Sequence, residues 1–165
     1  MPAVLGGLAQ SRPRMIATPW LALLSFLALS QTTHFFEHVA QMVQIHILGL
    51  SGPAARGIVG QLDIEWVHFV WNSWVLLALV ILVPRFHVNG WLVAAVVLAG
   101  WHLTEHVVIM ATYLQSGASG SPGLLAAGGL VGGGVPLTRP DLHFIYNVVE
   151  TVPLLIGWRL ELNRI

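Results

Sequence analysis

Cysteine is absent from this sequence, and so is lysine. The first absence excludes disulfides and thiolate-ligated metal sites, and it argues against iron–sulfur clusters. The second leaves 7 arginines against 7 acids, for a formal net charge of zero. A chain with no positive excess has no electrostatic basis for binding nucleic acid. Charge of either sign is scarce, at 8% of residues against 56% hydrophobic, with a mean hydropathy of +0.77. Soluble domains carry about 25% charged residues, so this composition predicts a surface that meets lipid. A nucleotide- or flavin-binding motif is missing too, so reducing power would have to arrive from a partner.

What the sequence does contain is four long apolar segments. They run from about 19 to 48, 64 to 83, 90 to 114 and 142 to 158, each long enough to cross a bilayer as a helix. Thr18 is placed to cap the first with Pro19 in its first turn, Asn89 the third, and Asp141 after Pro140 the fourth. Pro84 closes the second. The first segment is longer than a typical signal peptide and contains the motif described next, so it reads as a retained span. Arg12, Arg14, Arg85, Arg159 and Arg164 fall on one side of such a four-span chain, and Arg56 and Arg139 on the other. That asymmetry predicts cytoplasmic termini. Of the two outer connections, 49–62 is short, and 115–140, rich in Gly, Ser and Pro, reads as a flexible lid or a half-buried cap, its composition alone favouring plain flexibility.

Within the first segment lies HFFEHVAQM, and at residue 102 the chain reads HLTEHVVIM. His34, Glu37, His38 and Met42 return as His102, Glu105, His106 and Met110, displaced by 68 positions. HFVWN at His68–Asn72 returns as HFIYN at His143–Asn147, displaced by 75, with the extra residues falling in the longer connection. The chain therefore reads as one all-α transmembrane domain over 1–165, a four-helix bundle of two tandem two-helix repeats. The repeats cover about 19–84 and 89–160, related by an axis along the membrane normal.

Positions i, i+3 and i+4 share one helix face, so His34, Glu37 and His38 form one stripe, as do His102, Glu105 and His106. At about 1.5 Å per residue, His34 lies about 22 Å from the cytoplasmic start of its helix. His68 lies about 6–8 Å from the outer start of the next. In a core about 30 Å thick those heights coincide. His102 and His143 agree if the fourth helix starts a turn or two before Leu142. Six histidines and two glutamates then converge in the outer half of the bundle.

Ionisable groups at such depth face the bundle interior and a partner. Imidazoles with a carboxylate are ligands for Fe, Cu and Zn, and bundles build dinuclear sites from facing helices. The predicted metal ligands are His34, Glu37, His38, His68, His102, Glu105, His106 and His143. They would hold two transition-metal ions, with iron the first choice from the glutamates and copper the second. Asn72, Asn147, Glu150, Asp63 and Glu65 are candidates to hold the imidazole N–H groups. Met42 and Met110 read as core filling rather than copper ligands, and the tryptophans as interfacial belts. His46 and His87 lack a repeat partner and read as surface residues. Glu150 has Val75 in its matching place.

These features predict a membrane oxidoreductase or oxygenase subunit with a non-heme dinuclear centre. Its substrate would be lipophilic, such as a hydrocarbon, lipid or quinone, and would enter sideways from the membrane. An electron-donor protein or a larger membrane complex would supply electrons. The ligand types resemble those of membrane hydroxylases and desaturases, whose HxxxH and HxxHH boxes this chain lacks. The alternatives are a heme- or tetrapyrrole-binding electron-transfer subunit and a metal carrier. Two histidines at i and i+4 cannot both be axial on one heme. The purely apolar stretches LALLSFLAL and LLALVILV oppose a through-pore.

Overall fold

The computed structural model describes residues 17–86 and 89–164, so Arg12, Arg14 and His87 lie outside the described residues. Four long helices dominate it: α1 (Ala17–Met42), α2 (Ile64–Leu82), α3 (Gly90–Ser116) and α4 (Arg139–Leu162). α1 begins one residue ahead of the expected Thr18 cap and runs on into a π-helical turn over Val43–Ile47. Asp63 caps α2, its Oδ1 accepting the amides of Glu65 and Trp66 at 3.0 and 3.1 Å, so it holds backbone and not an imidazole. Its Oδ2 accepts the Tyr113 hydroxyl at 3.0 Å. Asn89 caps α3 as predicted, accepting from Trp91 and Leu92. Gly117 ends α3 in the left-handed conformation that glycine adopts without a steric penalty (φ 69°), its amide donating to the Tyr113 carbonyl at 2.8 Å. The fourth helix starts three residues earlier than expected. Thr138 is its cap, with Pro140 in the first turn, and Asp141 sits inside that turn. This is the shift that brings His143 level with His102.

Each helix packs on two neighbours, α1 on α4 and α2, α3 on α2 and α4, which closes a four-membered ring. At the end carrying the 83–89 connection the interior is apolar. Leu21, Leu24, Leu27, Val75, Leu79, Leu82, Leu92 and Leu154 interdigitate there with Ala78, Ala95 and Ala99. Gly157 lets α4 approach α3 closely, since a Cβ there would stand 2.6 Å from Leu92 Cδ2. Asn89 ties the same corner, donating to the Gly157 carbonyl at 3.0 Å and to Glu161 Oε1 at 2.7 Å.

Toward the other end, the loop end, the interior turns polar. Gln31 Nε2 donates to Asn147 Oδ1 and Thr151 Oγ1, each at 3.2 Å, and the histidines follow. The outward faces show the reverse pattern: Leu29 and Val97 are 65% and 66% exposed, while His34 and Glu105 are at 0%. α2 with its following turn (Ile64–Arg85) and α3 (Gly90–Ser116) are long and apolar enough to cross a membrane. α1 and α4 are of similar length, and the polar residues they bring to the interior lower their mean hydropathy.

The Gly-rich connection departs from the flexibility predicted for it. Val135 donates to the Leu125 carbonyl at 2.7 Å, Ala127 to Leu137 at 2.9 Å and Gly128 to Gly133 at 2.8 Å, with Ala126 fully buried. Glycines 128, 132, 133 and 134 all take positive φ. The composition that reads as flexibility here supplies a tightly folded, hydrogen-bonded loop.

Candidate metal centre

The 68- and 75-residue echoes bring their histidines together in two groups. His34, His38 and His68 form one, and His102, His106 and His143 the other, with ligand nitrogens in each group lying within 4.8 Å of one another. All six are buried. The groups adjoin, because His68 and His106 stack with ring centroids 5.9 Å apart and an interplanar angle of 12°. Helical spacing does the local work: His34 and His38, one turn apart, have ring centroids at 4.9 Å, as do His102 and His106.

Hydrogen bonds orient three of the rings. His68 Nδ1 lies 2.7 Å from the Ile64 carbonyl and His143 Nδ1 2.9 Å from the Arg139 carbonyl, each one turn back on its own helix. A carbonyl accepts only, so Nδ1 carries the proton and Nε2 keeps its lone pair. His102 Nδ1 lies 2.9 Å from Glu150 Oε2 and is fixed in the same sense. Asn72 and Asn147, expected to hold imidazoles, donate instead to the carbonyls of His68 and His143 at 2.8 and 3.0 Å. Of the acids proposed to orient a ring, Glu150 is the one that does so.

Several of the remaining nitrogens have no partner among the described residues: both of His34, both of His38, His106 Nδ1 and His143 Nε2. Buried polar atoms are paired in more than about 90% of cases, so this concentration at one level points to a ligand for them. His102 Nε2 and His106 Nε2 stand 3.2 Å apart. That is the distance of an N–H···N hydrogen bond, and two nitrogens each about 2.0 Å from a tetrahedral ion would also lie about 3.3 Å apart.

Glu37 and Glu105 are buried beside the histidines, yet neither belongs to the two groups. Glu37 Oε1 accepts the amides of Ile58 and Gly60, both at 2.8 Å. Glu105 Oε1 accepts those of Leu124 and Leu125 at 3.0 and 3.2 Å. Each carboxylate thus fastens one connection over the histidines, and Glu105 Oε2 has no partner among the described residues. Gln41 and Gln44 add to the first clasp, donating to the carbonyls of Ala55 and Gly57 at 3.1 and 2.9 Å.

Two residues of this clasp escaped the sequence reading, because they do not match at the 68-residue offset. Gly57 (φ +83°) and Gly123 (φ +74°) lie flat against the two carboxylates; a Cβ on Gly57 would overlap the Glu37 carboxylate, and one on Gly123 would stand 2.6 Å from Glu105 Oε1. Gly49 has similar backbone geometry (φ +66°) with nothing within 4 Å, so it serves as a control. Gly49→Ala is expected to cost about 1–2 kcal/mol for the left-handed conformation alone. Gly57→Ala and Gly123→Ala should each exceed that by about 1.5–3 kcal/mol, the worth of displaced charge-assisted hydrogen bonds. Unfolding of the three variants in detergent checks this. Equal losses in all three would mean the carboxylates do not anchor the loops.

The aromatic rings beside the two groups differ. His34 stacks on Trp71 with centroids 5.0 Å apart, and His102 lies 5.4 Å from the ring of Tyr146. Met110 is buried in the core, as expected of filler. His46, expected at the surface, is exposed there and pairs with Asp141 at 2.7 Å. Glu65, proposed as a support for the imidazoles, forms a fork-to-fork ion pair with Arg139, Oε1–Nη1 at 2.8 Å and Oε2–Nη2 at 2.5 Å. Neither protein-family models, curated proteins nor solved structures offer a match to this chain.

Proposed function

We propose that this chain is a membrane-embedded metalloprotein whose two histidine triads hold a pair of transition-metal ions, and that it serves as an oxidoreductase or oxygenase subunit. The observation that carries the reading is the interior itself. Six imidazoles and the carboxylates of Glu37, Glu105 and Glu150 are buried at one level, and none of those three carboxylates pairs with an arginine among the described residues. Buried carboxylates beside imidazoles with free lone pairs make a set that could hold cations, which would offset part of the cost of burying them. Two divalent ions would do so.

Membrane placement is supported by the inverted distribution of side chains, with apolar residues outward and ionisable ones inward. On this reading all four helices span, the termini are cytoplasmic, and the centre lies in the outer half. Duplication is supported by the way α1 meets α4 as α3 meets α2, and by the matched Glu-to-loop clasps.

The close grouping of ligand nitrogens in each triad, within 4.8 Å of one another, supports small ions as the occupants. Within the first group, His68 approaches the rings of His34 and His38 to 5.3 and 4.9 Å. With both glutamates fastening loops, the donors are imidazoles, a set that favours copper over the iron the carboxylates first suggested. A bound redox-active pair would supply electron exchange with substrate or dioxygen. The chain's own residues fix the tautomers of His68, His102 and His143 and fasten two loops beside the site. Glu150 gives the second triad a buried negative charge where the first has Val75, so the two ions would be electronically unequal.

The test is elemental analysis with an optical spectrum of protein purified from membranes. Two equivalents of a first-row metal without a Soret band is the expected result. A Soret band at one heme per chain, or metal-free protein that takes up none, would refute the reading.

A further inference from the structure

A cavity of about 490 Å³ opens at the loop end and reaches both histidine triads, with His38, His68, His106 and His143 in its wall. Sites for small organic ligands span about 300–1,000 Å³, so it is large enough for a substrate. Its flanks are apolar, formed by Ile45, Leu50, Pro53 and Ile64. Two guanidinium groups also line it, and they differ. Arg139 is neutralised by its two-point pair with Glu65. Arg56 has no carboxylate partner among the described residues and donates through Nη2 to Ser119 Oγ at 3.2 Å. Ser119 lines the same cavity.

We infer that this cavity binds a small amphiphile carrying one carboxylate, with its carboxylate on Arg56 and Ser119 and its apolar body along Ile45, Leu50 and Ile64. The inference rests on the dinuclear reading for what lies at the inner end, where the tail meets the imidazoles. A guanidinium presents parallel N–H donors that match a carboxylate, and a half-buried unpaired one is the strongest anion-recognising feature in the wall. With its anionic head on Arg56, the ligand would lay its hydrocarbon along the apolar flanks. Access is from the loop end, not sideways through the bundle.

Hexanoate, hexanol and hexylammonium share a tail and differ in the head, so they separate the contributions. Binding of each to the purified protein in nanodiscs is measured by calorimetry, with metal content determined on the same samples. Hexanoate should bind at least about tenfold more tightly than hexanol, and hexylammonium least. Arg56→Gln should remove that tenfold preference while leaving hexanol unchanged, and Arg56→Lys, which keeps the charge, should restore part of it. Retained metal content and unfolding midpoint show that the variants fold. Equal binding of hexanoate and hexanol, or an Arg56→Gln variant that still prefers hexanoate, would overturn the inference. Failure of the dinuclear reading looks different: no metal in any sample, with Arg56-dependent hexanoate binding intact, would leave the carboxylate site standing alone.

Discussion

His38→Ala is expected to take one of two metal ions from the chain, and His106→Ala the other. Each residue belongs to a different triad, and each is buried in the bundle interior. Removing an outer-shell partner of a metal ligand costs roughly 10–100-fold in affinity; removing the ligand itself should cost more, enough to halve the metal content of purified protein. His46→Ala, whose imidazole pairs with Asp141 away from both groups, should keep both ions. Glu37→Gln and Glu105→Gln separate a ligand from an anchor. Glutamine still accepts the loop amides through its carbonyl oxygen but no longer offers a carboxylate. The geometry at the loop amides predicts that both variants keep their ions with affinity lowered about tenfold. Loss of an ion in either would return the glutamates to the ligand set that the sequence pattern suggests. Full metal content in His38→Ala and His106→Ala together would remove the triads from consideration.

The largest effect on stability is expected at Glu65 and Arg139. The pair joins the first turn of α2 to the first turn of α4, with side-chain exposures of 0% and 13%. Glu65 Oε1 also accepts the Gly120 amide at 2.9 Å, which ties the Gly-rich loop to the same point. Removing one partner of a buried ion pair leaves the other charge uncompensated and costs about 3–5 kcal/mol. Glu65→Ala and Arg139→Ala should therefore each lower unfolding stability by that amount. The double variant Glu65→Leu with Arg139→Met should lose clearly less than the sum, since an apolar pair of similar volume carries no stranded charge. Losses below about 1 kcal/mol in the single variants would mean that the pair behaves as an exposed one.

The pairing of these two residues is not visible in the sequence, and the reason is physical. The echo at 68 and 75 positions marks side chains that both halves share, and His34, His38, His68 and their counterparts were legible because rare residue types recur at helical spacing. Glu65 faces Arg139 across 74 positions with no counterpart in the other half, so only the folded packing reveals it. The four helices were legible from apolar length, and the early start of α4 from the depth that His143 needed. The cap that produces it, Thr138, was hidden because Asp141 offered an equally good capping side chain a turn later.

The glutamates show a different limit. Spacing places Glu37 and Glu105 on the histidine face, but a face is shared by whatever else approaches it, and here two loops arrive with free amides. Glycine content misled in the same region. A run such as GLVGGGVP carries no side-chain pattern, and its fold comes from positive-φ glycines and backbone pairs that composition does not display.

The most direct test of the dinuclear centre is anomalous diffraction from crystals of the purified protein, collected at the absorption edge of whichever metal elemental analysis identifies. Two peaks per chain are predicted, one among His34, His38 and His68 and one among His102, His106 and His143, each with three imidazole nitrogens at about 2.0–2.1 Å. A single peak shared between the triads, a peak at His46 and Asp141 instead, or density for a macrocycle in their place would contradict it.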